Sequence, residues 1–86
     1  MIEEMMVSGV IESVHVYSQF ADLKVSTDFG DTFIRIPDDA EFEVDFWPGQ
    51  RFFCGEMPIE FCNGRIVGVL QPGVEYTLND VYYTVG

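Results

Sequence analysis

Apolar and acidic residues alternate without a break along Glu41-Phe42-Glu43-Val44-Asp45-Phe46, in the middle of residues 38–53. Successive side chains of a β-strand point to opposite faces, with same-face neighbours roughly 6.6 Å apart. The pattern therefore predicts a strand over 41–46 that sends Phe42, Val44 and Phe46 into a core. Glu41, Glu43 and Asp45 would then stand as a row of carboxylates in water. Asp39 continues the row by parity, and Asp38 sits beside it. Trp47, the single tryptophan, closes the stretch, and Pro48-Gly49 turns the chain into a further strand.

The flanking segments also read as strands. Residues 7–20 are rich in Val and Ile but alternate imperfectly: Val10, Val14 and Val16 share one parity, while Val7, Ile11 and Tyr17 share the other. A strand that bends, with a bulge or close backbone approach at Gly9, buries part of each face. Ala21, Leu23 and Val25 alternate cleanly with Asp22, Lys24 and Ser26. A turn at 28–31 follows, with Gly30 available for positive φ. The return strand, 32–36, places Ile34 and Ile36 inward and Phe33 and Arg35 outward. Beyond Pro37 and the acidic strand, 50–54 is a strand expected to break around 55–58. Two apolar runs, 59–62 and 65–70, flank Asn63-Gly64, the pair that favours a type I′ hairpin turn. After a turn at Gln71-Pro72-Gly73, residues 74–78 and 81–85 form a last hairpin across Asn79-Asp80.

About seven short strands with regular turn signals and no helix predict a single all-β domain over residues 1–86, with 1–6 as a candidate flexible N-terminus. The predicted architecture is a small, closed or partly open antiparallel β-barrel with an extra C-terminal hairpin. Gly9-Val10-Ile11, Leu23-Lys24-Val25, Gly30-Asp31-Thr32-Phe33-Ile34, Pro48-Gly49-Gln50-Arg51-Phe52 and Gly64-Arg65-Ile66-Val67 occur in an order that resembles the oligonucleotide/oligosaccharide-binding (OB) barrel of the cold-shock type. The resemblance covers roughly residues 7–70 and implies a nucleic-acid-binding face. The sequence departs from that family in charge: Asp22, Asp28 and Asp31 lie among the matching strands, and the final hairpin is additional.

Charge bears most directly on function. Fifteen acidic residues against four basic ones give a net charge of −11 over 86 residues. Such a chain repels phosphate and anionic lipid and is steered toward basic surfaces. With 48% hydrophobic and 15% aromatic residues, it has the means to fold. The N-terminal Glu3 and Glu4 are unlike a secretory leader, and no apolar run reaches membrane-spanning length. The expected location is cytoplasmic, in a host cell if the protein is viral. Cys54 and Cys62 are too few for a disulfide scaffold and read as reduced thiols, although adjacent strands could bring them together.

Catalytic chemistry is poorly represented. His15 has no nucleophile and orienting acid at recognisable spacing, and there is no glycine-rich phosphate loop. Cys54, Cys62 and His15 provide at most three zinc ligands, and Asp38, Asp39 and Glu41 lack the calcium-loop pattern. The expectation is a non-enzyme without metal or cofactor. The acidic row then defines the leading candidate site: Asp38, Asp39, Glu41, Glu43 and Asp45, with Trp47 as an apolar anchor. Regular negative charge resembles the phosphate backbone, so the expected partner is a protein with a basic, nucleic-acid-binding surface. The concrete role is an inhibitor of a nucleic-acid-processing or defence protein, as small viral proteins often are. A merely solvated strand face, with Trp47 in the core, is the plainer reading. A direct nucleic-acid binder would instead use Phe29 and Phe33 for stacking and Lys24, Arg35, Arg51 and Arg65 for phosphates. A subunit of a larger assembly would use exposed tyrosines on the final hairpin.

Overall fold

The computed structural model describes residues 3–86. Seven strands form one sheet: β1 (Glu4–Val16), β2 (Phe20–Thr27), β3 (Gly30–Pro37), β4 (Arg51–Cys62), β5 (Arg65–Val69), β6 (Glu75–Leu78) and β7 (Val81–Thr84). The sheet order is β1-β2-β3-β5-β4-β6-β7, and a further β1–β4 pairing closes the first five strands into a ring. The all-β expectation holds. The expected purely antiparallel arrangement does not, because β3 and β5 pair in parallel from Phe33↔Val67 to Arg35↔Val69. The reason is topological: around a closed ring with an odd number of strands, direction cannot alternate at every step. The one parallel pair falls where the chain leaves β3, crosses to β4 and returns as β5.

Two irregularities let imperfect alternation fill one core. In β1, the register against β2 shifts between Ile11 and Ser13, so an extra residue at Glu12 changes the inward parity. Val7 and Ile11 point inward before the shift, and Val14 packs against the core after it. The bulge lies three residues beyond Gly9. Gly9 itself is the site of a close approach, paired with Thr27 on one side and Phe52 on the other. The second irregularity lies in β4, where Gly55 and Glu56 together oppose Met6. The expected break at 55–58 is thus a bulge inside one continuous 12-residue strand. Phe52 and Cys54 are buried before it and Met57 after it. Residues 4–6, read as part of a flexible terminus, belong to β1, and Glu4 and Met5 pair with Pro58 and Met57. The first two residues lie outside the described part.

The turns have the predicted chemistry. Gly30 has φ +112°, and Asn63-Gly64 and Asn79-Asp80 both have positive φ at the two central positions of their hairpins. Asn79 adds a clasp: its N–H donates to the Arg51 carbonyl and its Oδ1 accepts from the Arg51 N–H, each at 2.9 Å. That clasp holds the β6–β7 hairpin against the start of β4, to which the β6 backbone pairs at Phe52↔Leu78 and Phe53↔Thr77.

Candidate functional site

Residues 38–50 connect β3 to β4, and the predicted strand over 41–46 is absent. The segment follows an irregular path with a bend at Glu43-Val44. Its sidedness nevertheless matches the sequence pattern: Phe42, Val44 and Phe46 are half-buried against the core, whereas Glu41, Glu43 and Asp45 are exposed. Asp38 and Asp39 are exposed in the turn closed by the Ala40 N–H on the Pro37 carbonyl, 3.2 Å.

Three anchors hold the segment. Glu41 and Gly86 exchange two backbone hydrogen bonds of 2.9 Å, tying the acidic stretch to the last residue. The Gln50 side chain accepts from the Trp47 N–H at 2.7 Å and donates to the Asp45 carbonyl at 3.2 Å. The Gly49 N–H and Gln50 carbonyl then bond back to Ile11. Aromatic packing is the third anchor: Phe42 and Phe46 lie edge-on at 5.2 Å, and Tyr76 meets both at 6.3 and 5.8 Å. Tyr76 also stacks on Phe52 and Tyr83, joining the segment to the core and to the final hairpin. Burial, with smaller contributions from Tyr83 and Glu43, pushes the Tyr76 hydroxyl up to about 12.

Trp47 is 63% exposed, so the plainer reading that placed it in the core fails. Gln50 holds its backbone in a tight loop, and its ring instead lines an open apolar groove of about 750 Å³ with Val14, Val16, Ile36, Val44 and Phe46. Neither Val16 nor Gln50 stood out in the sequence. The first ends an imperfectly alternating strand, and the second matters only through loop hydrogen bonds.

The cations are distributed differently from the carboxylates. Lys24 lies 3.6 Å from Glu12 and 3.5 Å from Asp31, Arg35 lies 3.2 Å from Asp22, and Arg51 lies 2.6 Å from Asp80. Arg35 also covers the Phe20 ring at 4.1 Å, and its guanidinium pKa is raised chiefly by the Asp22 hydrogen bond. Arg65 has no carboxylate within ion-pair reach among the described residues and lies over Phe33 at 5.5 Å. By the same measure, none of the five carboxylates at 38–45 is paired. Phe29 is fully exposed at the tip of the β2–β3 turn, whereas Phe33 is half-buried within β3.

The remaining candidates are dispersed. The His15 side chain is exposed, and among the described residues its one hydrogen bond is to the nearby Ser13 hydroxyl, at 3.0 Å. Both cysteines are free: Cys54 is buried and donates to the Glu75 carbonyl, and Cys62 lies half-buried beside Arg35. Among the described residues, no three metal-ligating side chains converge, and no helix is long and apolar enough to cross a membrane. On the final hairpin, Tyr76 is buried, Tyr83 half-buried and Tyr82 exposed, with the Tyr82 hydroxyl on Glu75 at 2.5 Å. Comparison with protein-family models, curated proteins and solved structures finds no match to this chain.

Proposed function

We propose that this protein is a non-enzymatic acidic binding module that occupies the basic groove of a nucleic-acid-binding protein, and so inhibits it. The observation that carries the reading is the unequal use of charge. Five exposed carboxylates at 38–45 have no ion-pair partner among the described residues, while three of the four cations are neutralised internally. Unpaired surface carboxylates repel one another, and a cationic partner relieves that repulsion while steering association. Trp47 beside them supplies an apolar contact of the kind that dominates interface energies. We read the five-stranded ring as an OB-like barrel serving as scaffold, which fits the five-stranded, partly open architecture of that class.

The test is affinity capture with Glu41→Lys, Glu43→Lys and Asp45→Lys combined. The three side chains are exposed, so the fold should persist, as circular dichroism will register. The wild-type protein should capture a basic nucleic-acid-binding protein that is released by high salt and displaced by duplex DNA. The screening length shrinks from about 8 Å at physiological salt to about 3 Å at 1 M. Undiminished capture by the triple variant removes the acidic segment from the site. A second reading, direct binding of single-stranded nucleic acid, draws on Arg65 over Phe33 and Arg35 over Phe20. Oligonucleotide binding that falls on loss of Lys24 or Arg35 would favour it.

A further inference from the structure

We propose that the groove beside Trp47 seats a large apolar side chain of a cationic partner segment, one in which an aliphatic or aromatic residue is flanked by Lys or Arg. This rests on the acidic-module reading and specifies what that module recognises. The groove walls are apolar from three separate parts of the chain: Val14 and Val16 at the end of β1, Ile36 at the end of β3, and Val44, Phe46 and Trp47 of the connecting segment. Val16 is 79% exposed and Trp47 63% exposed, so water covers two large apolar side chains that face one cleft. Contiguous exposed apolar surface with a polar rim marks interaction sites, whereas scattered single residues do not.

Charge chooses the occupant. Asp45 lines the groove itself, and Glu43 lies two residues away on the same exposed side of the segment. Nucleic acid brings phosphates to those carboxylates and is repelled. A membrane surface carrying anionic lipid is repelled in the same way. A second copy of this chain would set its own acidic segment against this one, and like charges brought together across an interface cost several kcal/mol. An apolar side chain carried between basic residues satisfies both parts of the surface. Its side chain displaces water from Val16 and Trp47, while its cations meet Glu43 and Asp45.

Trp47, the single tryptophan, reports directly on its own groove. The probes are two synthetic peptides of equal length and equal positive charge, one with Leu between its lysines and the other with Ser in the same places. The expected result is a blue shift of Trp47 emission and roughly tenfold tighter binding with the Leu peptide, the scale of burying one aliphatic side chain. Val16→Ser should abolish that advantage and leave the Ser peptide's affinity unchanged, since it removes a wall without altering charge. Equal affinity of the two peptides, with no emission shift, overturns the groove assignment while leaving the acidic segment as the site. If neither peptide binds, or if binding is unaffected by Glu43→Lys with Asp45→Lys, the acidic-module reading fails and the groove assignment falls with it.

Discussion

Tyr76 offers a measurement of how the acidic segment is fastened to the rest of the molecule. Its ring is 2% exposed and touches Phe42 and Phe46 of the segment, Phe52 of β4 and Tyr83 of β7. Its hydroxyl is pushed from 10 up to about 12, first by burial and then by Tyr83 and Glu43. The neutral form is therefore favoured in the folded state. The stabilisation is fully present below pH 10, the unfolded value, and is lost as pH rises through 12. Two pKa units correspond to at most about 3 kcal/mol, and most of that should be gone by pH 11.5. The Tyr82 pKa is also raised, first by its hydrogen bond to Glu75. The comparison is therefore between wild type and Tyr76→Phe, each unfolded by urea at pH 9 and pH 11.5. Wild type should lose about 2 kcal/mol more than the variant. Absorbance at 295 nm should show a late-titrating tyrosine that the variant lacks. Parallel losses in the two proteins would mean that Tyr76 is not closed in by the segment, and the path described for residues 41–46 would be wrong. Glu43→Gln should lower the Tyr76 transition slightly, because Glu43 is one of the charges that raise it.

Gly9→Ala should cost about 3 kcal/mol in urea unfolding. A Cβ there would overlap the Ser26 carbonyl oxygen and come within 2.8 Å of the carbonyl carbon, both backbone atoms that cannot swing aside. A loss below about 1 kcal/mol would show that β1 and β2 have room to separate. The two thiols should differ in the native protein. Cys54, buried and with its pKa raised mainly by desolvation, should resist a thiol reagent at pH 8 until the protein unfolds, whereas the half-buried Cys62 reacts early. Equal native rates would contradict the closure around Cys54.

What could be read from the sequence was governed by local physics. Asn63-Gly64 and Asn79-Asp80 define their hairpins because each demands two residues that tolerate positive φ, and their chemistry is visible in the residue names. Leu23 and Val25 alternate in a strand with no irregularity, so parity identifies them as core. The features missed depend on partners distant in the chain. Gly55 and Pro58 read as breakers of β4, but Gly55 sits in a bulge opposite Met6, and Pro58 pairs with Glu4, some fifty residues earlier. Likewise, the parallel β3–β5 pairing follows from closure of the ring, to which no single segment testifies. Val16 and Trp47 belong to one groove only because the ends of β1 and of the β3–β4 connection meet there.

The acidic segment separates two properties that alternation is often taken to report together. An extended chain turns successive side chains to opposite sides whether or not its backbone is paired. The pattern at 41–46 therefore encoded which side faces the core, and it did so correctly, without encoding a strand. The consequence bears on the function proposed above. Carboxylates on a strand would lie on a straight, evenly spaced line that could match a polyanion's charge spacing. Here the chain bends at Glu43-Val44, and Glu41 is held to Gly86 while Asp45 is held through Gln50. On the proposed reading, charge on such a bent support would attract a cationic partner without fixing its register, because screened attraction falls off smoothly with distance. Discrimination among basic partners must then come from contacts that depend on shape. The groove formed by Val16, Val44, Phe46 and Trp47 is the part of this surface able to supply them, so acidic reversals should lower affinity for all cationic ligands, and loss of the Val16 wall should lower it only for those that carry an apolar anchor.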